Sequence, residues 1–310
     1  MHQLNTIPLK KLPSKEERHK LFGSVPPGEK KKPTEKNEMA DLQNVKRDFL
    51  FDLDVVGVSN VKYPVRVLSG QAPFEQTTVG TFTFSSSIPA NSKGTNMSRF
   101  MELLEQYHQG GFTVSIDELK QFAKDLAVKL EQTDATVSVS FPWFYERKAP
   151  QTYAAGLNHA EAAVSVRYSK YEDYQISVSL NVQITTLCPC SKEISEYSAH
   201  NQRGNVTVEA ELEPSFSNTD GDWKGILLEA AESNASARLH PILKRPDEKM
   251  VTEAAYENPR FVEDMVRLIA ADLYELPAVM KFHVACRNEE SIHMHDAIAS
   301  VTYDKRNRQG

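Results

Sequence analysis

The chain has little cysteine, with three residues in 310. Three cysteines exclude a disulfide-stapled scaffold and cannot build a four-cysteine zinc site, which leaves packing, catalysis or a metal site of mixed ligands. A chain of this length buries enough apolar surface to fold without such staples. No apolar run approaches the roughly 20 residues that cross a bilayer, and the first six residues lack the apolar core of a signal peptide. We therefore expect a cytoplasmic protein in a reducing compartment, with no membrane partner.

Positive charge is scarce where nucleic-acid binding would need it. The chain has 36 basic and 42 acidic residues, and residues 1–47 hold eleven Lys and Arg against six Asp and Glu. The body is therefore strongly acidic, whereas a duplex-binding protein concentrates basic residues on one folded face. A small anionic substrate needs only a few cations in one cleft and stays possible. We expect no nucleic-acid partner.

Proline and charge set the first 47 residues apart from the rest. This segment contains five prolines, and none of its apolar periods lasts longer than one helical turn. Such a composition is typical of a solvated extension. We predict an N-terminal basic extension over 1–47 and a folded body over 48–310.

Alternation of apolar and polar residues dominates the body. The clearest case is 174–186, and it is typical of an antiparallel sheet with one wet or ligand-facing surface rather than a doubly wound parallel sheet. Apolar residues at helical spacing predict helices over 97–108 and 116–131. Asn258 followed by Pro259 predicts the start of another helix. The order of strands and helices occurs twice, which favours two similar β-rich modules in tandem, roughly 48–157 and 158–310.

The pattern most typical of chemistry is a cysteine pair at the end of the clearest strand. Cys188 and Cys190 flank Pro189, and His200 follows twelve residues after Cys188. Residues i and i+2 of an extended backbone point the same way, so both thiols can face one cavity. A thiolate and an imidazole suit zinc or a similar divalent ion. Simple packing and redox pairing are the alternatives, and the many polar neighbours speak against simple packing.

Three other polar clusters each allow a structural and a functional interpretation. The segment 244–249 is either a solvated loop or part of a site. Glu263, beside the apolar stripe of a predicted helix, either complements the helix dipole or reaches a cleft. The segment 289–296 contains two histidines that either bind a metal or belong to a surface hairpin. Cys286 alternates with apolar residues in a predicted strand and is assigned to the core.

Together these segments resemble one family. The sequence LCPCSKEIS at 187–195, followed by AHNQRG at 199–204, is similar to the signature of GTP cyclohydrolase I of the prokaryotic type IB. The segments 21–25, 243–249, 257–264 and 290–297 also resemble that family. The resemblance spans roughly residue 17 to the end, and the combination of segments is specific although each one alone is weak.

The resemblance implies both a fold and a reaction. The fold is an α+β tunnelling fold, with antiparallel sheets, helices on one face and two tandem modules per chain, assembled into a homotetramer with active sites between subunits. The body over 48–310 would then be the catalytic domain. The reaction is the conversion of GTP and water to 7,8-dihydroneopterin triphosphate and formate, the first step of tetrahydrofolate biosynthesis.

The resemblance also implies residue roles. A divalent metal (zinc, manganese or iron(II)) would be held by Cys188 and His200, with Glu248 as a further ligand or nearby base, and would activate the water that attacks C8 of guanine. Glu263 would anchor guanine, since a carboxylate accepts hydrogen bonds from N1–H and the 2-amino group. His293 would transfer protons during ring opening.

Cations and further sulfur and nitrogen groups complete the predicted site. Lys192 and Arg203 are candidates for the triphosphate, because cations near the metal could form charge-assisted hydrogen bonds with it. Cys190 is a candidate alternate ligand, and a disulfide with Cys188 would remove a metal ligand. Spacing leaves open whether another histidine, His240 or His295, contributes.

Two other functions remain open at this point. A nitrile reductase of the queuosine pathway would share the fold and use a cysteine nucleophile with a nicotinamide cofactor. It would need no metal, and the combination of Cys188 with His200 argues against it. A non-catalytic, metal-stabilised assembly module would ignore GTP and would lose stability on replacement of Cys188.

Overall fold

A computed structural model describes residues 10–24, 33–35, 39, 42–43 and 45–307. Much of the predicted N-terminal extension lies outside the described residues, and its boundary at residue 47 stays a prediction. One short helix, α1 (Lys15–Leu21), is described within it. The Ser14 hydroxyl accepts a hydrogen bond from Glu17 N at 3.3 Å, and the Glu17 carboxylate accepts one from Ser14 N at 2.8 Å. This reciprocal capping explains why a helix starts here without an apolar face.

The body is built on one continuous sheet of eight antiparallel strands. Each strand pairs with the next one along the chain, from the first to the eighth. The strands are β1 (Leu53–Leu68), β2 (Glu75–Ile88), β3 (Asp134–Lys148), β4 (Ala155–Ser169), β5 (Gln175–Leu187), β6 (Asn201–Leu212), β7 (Val279–Glu289) and β8 (Ala297–Asp304).

The predicted fold class, an α+β tunnelling fold with antiparallel sheets, helices on one face and two tandem modules per chain, is wrong for this chain. The supposed module boundary near residue 157 falls inside β4. That strand forms fifteen residue pairs with β3 and seven with β5. Because the hydrogen-bonded ladder crosses the boundary without a break, the two halves of the chain share one sheet. The repeated order of strands and helices reflects helices inserted between the hairpins of that sheet.

Helices cover the apolar face of this sheet. The helices of the body are α2 (Ser98–Gln109), α3 (Ile116–Leu130), α4 (Pro189–Ile194), α5 (Trp223–Glu232), α6 (Arg245–Glu257) and α7 (Val262–Glu275). Apolar residues of α2, α3, α5 and α7 form a single core cluster with those of the strands. No helix in the described part of the chain is long and apolar enough to cross a membrane.

Several elements lie where the sequence pattern predicts them. The helices predicted over 97–108 and 116–131 are confirmed as α2 and α3, and the strand predicted over 174–186 is confirmed as β5. Asn258 does not begin a helix, because it caps the end of α6 with its amide on Ala254 O at 2.8 Å. The next helix begins at Val262, after Pro259 has ended the preceding one.

Candidate active site

The end of β5, which carries the cysteine pair, is held by backbone hydrogen bonds. Leu187 N donates to Ser236 Oγ at 2.9 Å, and Leu187 O accepts from Arg260 N at 3.0 Å. Cys188 N donates to His200 O at 3.1 Å, which closes the segment 188–200, here called the cysteine loop. Two of the three residues predicted to bind a metal are therefore joined directly through their backbones.

Within the cysteine loop, Cys188 is the N-cap of α4. Its sulfur accepts a hydrogen bond from Ser191 N at 3.5 Å. Pro189 occupies the first helical position, where a backbone N–H has no partner within the helix, so proline costs no hydrogen bond there. Cys188 is half-buried, whereas Cys190 is exposed, and neither thiol is in a disulfide. The local sequence thus fixes the Cys188 thiol at the start of a helical turn.

The cysteine loop borders an open cavity of about 550 Å³ that collects most of the predicted site residues. Groups able to bind a metal or transfer a proton come from the cysteine loop, from α7 and from the connection between β7 and β8. They are Cys188, Cys190, His200, Glu263, Glu290, His293 and His295. Residues more than 100 positions apart in sequence are brought together here.

The segment 290–296, here called the histidine loop, lies over the cysteine loop. Ser291 Oγ is 3.2 Å from His200 Nδ1, within hydrogen-bond distance. The His293 and His295 rings stack with centroids 4.9 Å apart. Arg287 Nη1 binds Asp296 Oδ2 at 2.8 Å, at the far end of the loop. Because contacts hold both ends of the loop, the two histidines are kept at the edge of the cavity.

Two neighbouring carboxylates at the start of α7 have different roles. Asp264 Oδ2 accepts a hydrogen bond from Phe261 N at 2.9 Å and so caps the helix. Glu263 lines the cavity and is exposed, and no described residue pairs with its carboxylate. Both carboxylates lie in the first turn of α7, where negative charge complements the helix dipole, but the capping bond belongs to Asp264 and both oxygens of Glu263 are available to a ligand.

The structure does not assemble the predicted metal ligands within one chain. Glu248 is exposed on the first turn of α6 and does not line the cavity with Cys188 and His200. In the described ranges, no group of three His, Cys, Asp or Glu residues is close enough to hold a metal ion. Two of the three proposed ligands thus lie together, and the third lies apart.

The residue before Glu248 explains where α6 begins. Asp247 is fully buried and accepts hydrogen bonds from Gln151 N at 2.9 Å, Thr152 N at 2.8 Å and Thr152 Oγ1 at 2.6 Å. Burial alone would raise the pKa of Asp247, but the hydrogen bonds from Thr152, Lys244 and Gln151 outweigh it and hold that pKa well below its ordinary value. The first turn of α6 is thereby tied to the turn between β3 and β4.

The two candidate cations for the triphosphate also lie outside the cavity. Lys192 Nζ donates to Tyr256 O at 2.6 Å and lies 4.2 Å from the centre of the Tyr256 ring, so it ties α4 to α6. Arg203 is exposed between two buried residues, Gln202 and Gly204. Because side chains alternate along a strand, Arg203 lies on the opposite face of the sheet from Gln202, which lines the cavity.

The remaining cysteine and the histidine left open by spacing lie elsewhere. Cys286 is buried in β7, as predicted, and burial raises the pKa of its thiol to about 12. His240 lies in a separate cavity of about 320 Å³ together with Arg147 and Arg238. Burial and the Arg147 charge lower the pKa of His240. Neither residue contributes to the cavity between the cysteine and histidine loops.

Two buried amides in this cavity had no predicted role. Gln202 is 7% exposed and Asn288 is 0% exposed, and both line the cavity. Both sit on strands at positions where alternation calls for an apolar residue. An amide at such a position is the sequence signal for Asn288, and Gln202 also lies within the AHNQRG motif at 199–204.

Comparisons with known proteins agree on one family. A family model described as type I GTP cyclohydrolase folE2 matches residues 39–299. A protein named GTP cyclohydrolase FolE2 from Oceanobacillus iheyensis is 73% identical over 299 residues, covering 96% of this chain and 99% of that one. Proteins of the same name are 59% identical over 297 residues in Halalkalibacterium halodurans (96% and 99% covered) and 56% identical over 294 residues in Bacillus subtilis (95% and 96% covered).

A solved structure shares the fold at low sequence identity. The crystal structure of uricase from Arthrobacter globiformis has a TM-score of 0.50 and 10% identity, covering 83% of this chain and 95% of that chain. At this identity the similarity concerns the fold alone. Together with the single eight-stranded sheet, it replaces the predicted two-module fold.

Proposed function

The chain belongs to the type I GTP cyclohydrolase FolE2 family and is a GTP cyclohydrolase of folate biosynthesis, and we propose that its reaction takes place in the cavity between the cysteine and histidine loops. The reaction converts GTP and water to 7,8-dihydroneopterin triphosphate and formate. The observation that carries the proposal is that Cys188, His200, Glu263 and His293, from separate segments, line one cavity. Assignment to the prokaryotic type IB rests on the motifs at 187–204 and is part of the proposal.

Glu263 is the proposed anchor for the guanine base. Its carboxylate has no partner in the described part of the chain, so it can accept hydrogen bonds from both N1–H and the 2-amino group. Adenine has an acceptor at N1 and no 2-amino group, and it would leave the carboxylate without donors. This pairing supports selection of guanine over adenine.

His293 is the proposed group for proton transfer. Opening the imidazole ring breaks the bonds from C8 to N7 and N9, and both nitrogens must gain protons as C8 leaves in formate. An imidazole both donates and accepts protons near neutral pH, which suits it to this sequence of steps. The stacking of His293 on His295 at the cavity edge supports the assignment, because it holds the ring in one orientation.

A divalent metal (zinc, manganese or iron(II)) is the proposed cofactor. The Cys188 sulfur and the His200 imidazole are donors of the right kind, and the contact of His200 Nδ1 with Ser291 leaves Nε2 available as a ligand. Glu248 is the proposed further ligand or base, contributed by a neighbouring subunit. When bound, such an ion supplies Lewis-acid chemistry that makes water a nucleophile at neutral pH. Cytoplasmic reducing conditions would keep the ligand thiol available.

Removal of metal is expected to abolish the activity. Protein prepared under reducing conditions should release formate and a pterin, detected by fluorescence after oxidation, from GTP. Chelation should end both signals, and zinc, manganese or iron(II) should restore them. The Cys188→Ala variant, treated in parallel, should not recover with any of the three ions.

Two results would count against these proposals in different ways. No product from GTP with any of the three ions would contradict the function. Full turnover by protein that elemental analysis finds free of metal would contradict the cofactor alone.

We also propose a homotetramer whose active sites are shared between subunits. Within the described residues, β1 and β8 each lack a strand partner on one side. The exposed apolar side chains of Ile194, Ile292 and Met294 belong to the two loops that border the cavity. Glu248 and Arg203 lie outside the cavity of their own chain, which supports a contribution to a neighbour's site. Arg203 and Lys192 remain the proposed contacts for the triphosphate.

Mixing two inactive variants tests the shared site. If Cys188 of one chain works with Glu248 of another, equal amounts of Cys188→Ala and Glu248→Ala chains should assemble into tetramers with about a quarter of their sites active. Half of the chains carry an intact Cys188 and half carry an intact Glu248, so about a quarter of the shared sites receive both. The matched control mixes Cys188→Ala with His200→Ala. These two residues are joined within one loop, so no activity should return. Absence of recovery in both mixtures would place Glu248 and Cys188 in the same chain's site.

A further inference from the structure

Two buried polar atoms without partners line the floor of the cavity, and a third lies on the strand beside them. Among the described residues, seven side-chain nitrogen or oxygen atoms are buried without a hydrogen-bond partner. Three of them, Thr186 Oγ1, Gln202 Oε1 and Asn288 Nδ2, lie on the adjacent strands β5, β6 and β7. Buried polar atoms without partners cost stability, so native proteins keep few of them. A cluster of three beside a cavity therefore indicates a ligand that pairs with some of them.

The local packing turns the Asn288 amide toward the cavity. Asn288 pairs in register with Gly204 on the neighbouring strand. A Cβ at Gly204 would lie 2.8 Å from Asn288 Oδ1 and 2.7 Å from Ile184 Cγ1, so only glycine leaves room for this amide. Asn288 Oδ1 accepts a weak hydrogen bond from the Cys286 thiol at 3.6 Å. The oxygen end of the amide is thus engaged, and the Nδ2 donor is the free end.

In the proposed orientation of guanine, one edge of the base faces the floor of the cavity. Guanine held at Glu263 through N1–H and the 2-amino group must also present C8 to Cys188 and His200. The edge from N3 to N9 carries the ribose and triphosphate, which need the open mouth of the cavity. The other edge carries O6 and N7, and both atoms are acceptors. This edge therefore faces the buried amides.

We propose that Asn288 and Gln202 bind the O6 and N7 edge of the guanine base, an inference that rests on the proposed function. Asn288 Nδ2 donates to O6. Gln202 lies two residues after His200, at the start of β6, so it is near the C8 end of the base, where N7 is its partner. When water adds across the C8–N7 double bond, giving a hydroxyl on C8 and a proton on N7, the free Oε1 of Gln202 accepts the new N7–H.

The first test separates substrate binding from folding. Asn288→Leu and Gln202→Leu each replace an amide by an apolar side chain of similar size. Asn288 Nδ2 and Gln202 Oε1 have no protein partner, and Asn288 Oδ1 has a weak hydrogen bond from the Cys286 thiol. We therefore expect the unfolding midpoint of the free protein to stay close to that of wild type. The value of kcat/KM for GTP should fall about tenfold or more, as for a lost hydrogen bond to substrate. Thr186→Val is the matched control, because it removes the third unpaired atom from a residue that does not line the cavity, and kcat/KM should not change.

The second test uses a substrate analogue and does not depend on the fraction of folded protein. In 6-thio-GTP, sulfur is a poor acceptor in place of O6, while N1–H and the 2-amino group remain. Wild-type protein should bind GTP more tightly than 6-thio-GTP in competition measurements. The Asn288→Leu variant should lose this preference for GTP, and the smaller Asn288→Ala replaces it if the first variant folds poorly. The Glu263→Ala variant should bind both GTP and 6-thio-GTP more weakly but keep the preference for GTP.

The outcomes distinguish this inference from the proposed function. If wild-type protein turns over GTP but the Asn288 variants keep both kcat/KM and the preference for GTP over 6-thio-GTP, the inference is overturned. A wild-type protein that forms no pterin from GTP would overturn the proposed function itself.

Discussion

Replacing Cys188 by alanine is expected to lower kcat for GTP about a thousandfold or more while the protein stays folded. The change removes the sulfur ligand of the proposed ion, and Lewis-acid catalysis of about 4 kcal/mol corresponds to this factor. In the structure the Cys188 sulfur has one backbone partner, Ser191 N at 3.5 Å, so the fold depends little on it. Steady-state kinetics would measure the loss of kcat, metal analysis would measure the loss of the ion, and thermal unfolding would show that the variant stays folded.

The other two cysteines are matched controls for this result. Cys190 lines the same cavity two residues away but is exposed. The Cys190→Ala variant should keep at least a tenth of the wild-type activity, because it leaves the proposed metal ligands Cys188 and His200 in place. Cys286 is buried outside the cavity, and Cys286→Ala should lower the free energy of unfolding by about 1 kcal/mol. Its kcat should fall far less than that of Cys188→Ala, because the Cys286 thiol hydrogen-bonds to Asn288 and is not a proposed metal ligand. A Cys188→Ala variant with wild-type kcat would remove the sulfur from the mechanism.

Replacing Glu263 by alanine is expected to lower kcat/KM for GTP by about three orders of magnitude, since a site that hydrogen-bonds its substrate discriminates strongly when that partner is lost. In this variant the N1–H and 2-amino donors of guanine would have no carboxylate to accept their hydrogen bonds. The loss should appear without a change in unfolding, because no described residue pairs with the Glu263 carboxylate. Stopped pterin assays over a range of GTP concentrations would measure kcat and KM.

The adjacent carboxylate supplies the control for Glu263. Asp264→Ala removes the hydrogen bond to Phe261 N and should cost about 1 kcal/mol of stability, as for a lost helix cap. Its kcat/KM should stay within a few-fold of wild type. If instead Asp264→Ala lost the activity and Glu263→Ala kept it, the guanine anchor would have been assigned to the wrong carboxylate.

The sequence pattern predicted single elements better than their assembly. In β5 every second side chain enters the core and the others face away, so the alternation alone predicts the strand. The same alternation does not say which strands pair. The ladder that joins β4 to both β3 and β5 is a long-range property, and the expectation of two modules was wrong for this reason.

Helix α6 shows a second limit of prediction from sequence. Its only buried residue is Asp247, so it has no apolar stripe that could mark it as a helix. Hydrogen bonds to that carboxylate hold its first turn, and such bonds leave no periodic signal. The segment 244–249 was therefore open to interpretation as a solvated loop.

The candidate site was predictable in part. The resemblance identified Cys188, His200, Glu263 and His293, and the structure brings these four to one cavity. Glu248, also implied by the resemblance, and Lys192 and Arg203, proposed for their charge, do not line the cavity of a single chain. Asn288 lies outside the motifs that carry the resemblance, and Gln202 lies inside one without a role, so the importance of both rests on burial without a partner, which only a three-dimensional structure can show.

The backbone bond between Cys188 and His200 also bears on how the site forms during folding. These residues are only twelve positions apart, at the closed end of the hairpin of β5 and β6, so bringing them together costs little chain entropy. Glu263 and His293 lie 75 and 105 positions beyond Cys188, and they reach the cavity only after much longer stretches of chain have closed. The proposed ion-binding part of the cavity is thus local in sequence, whereas the proposed guanine anchor Glu263 and the proposed proton-transfer group His293 depend on completion of the C-terminal half.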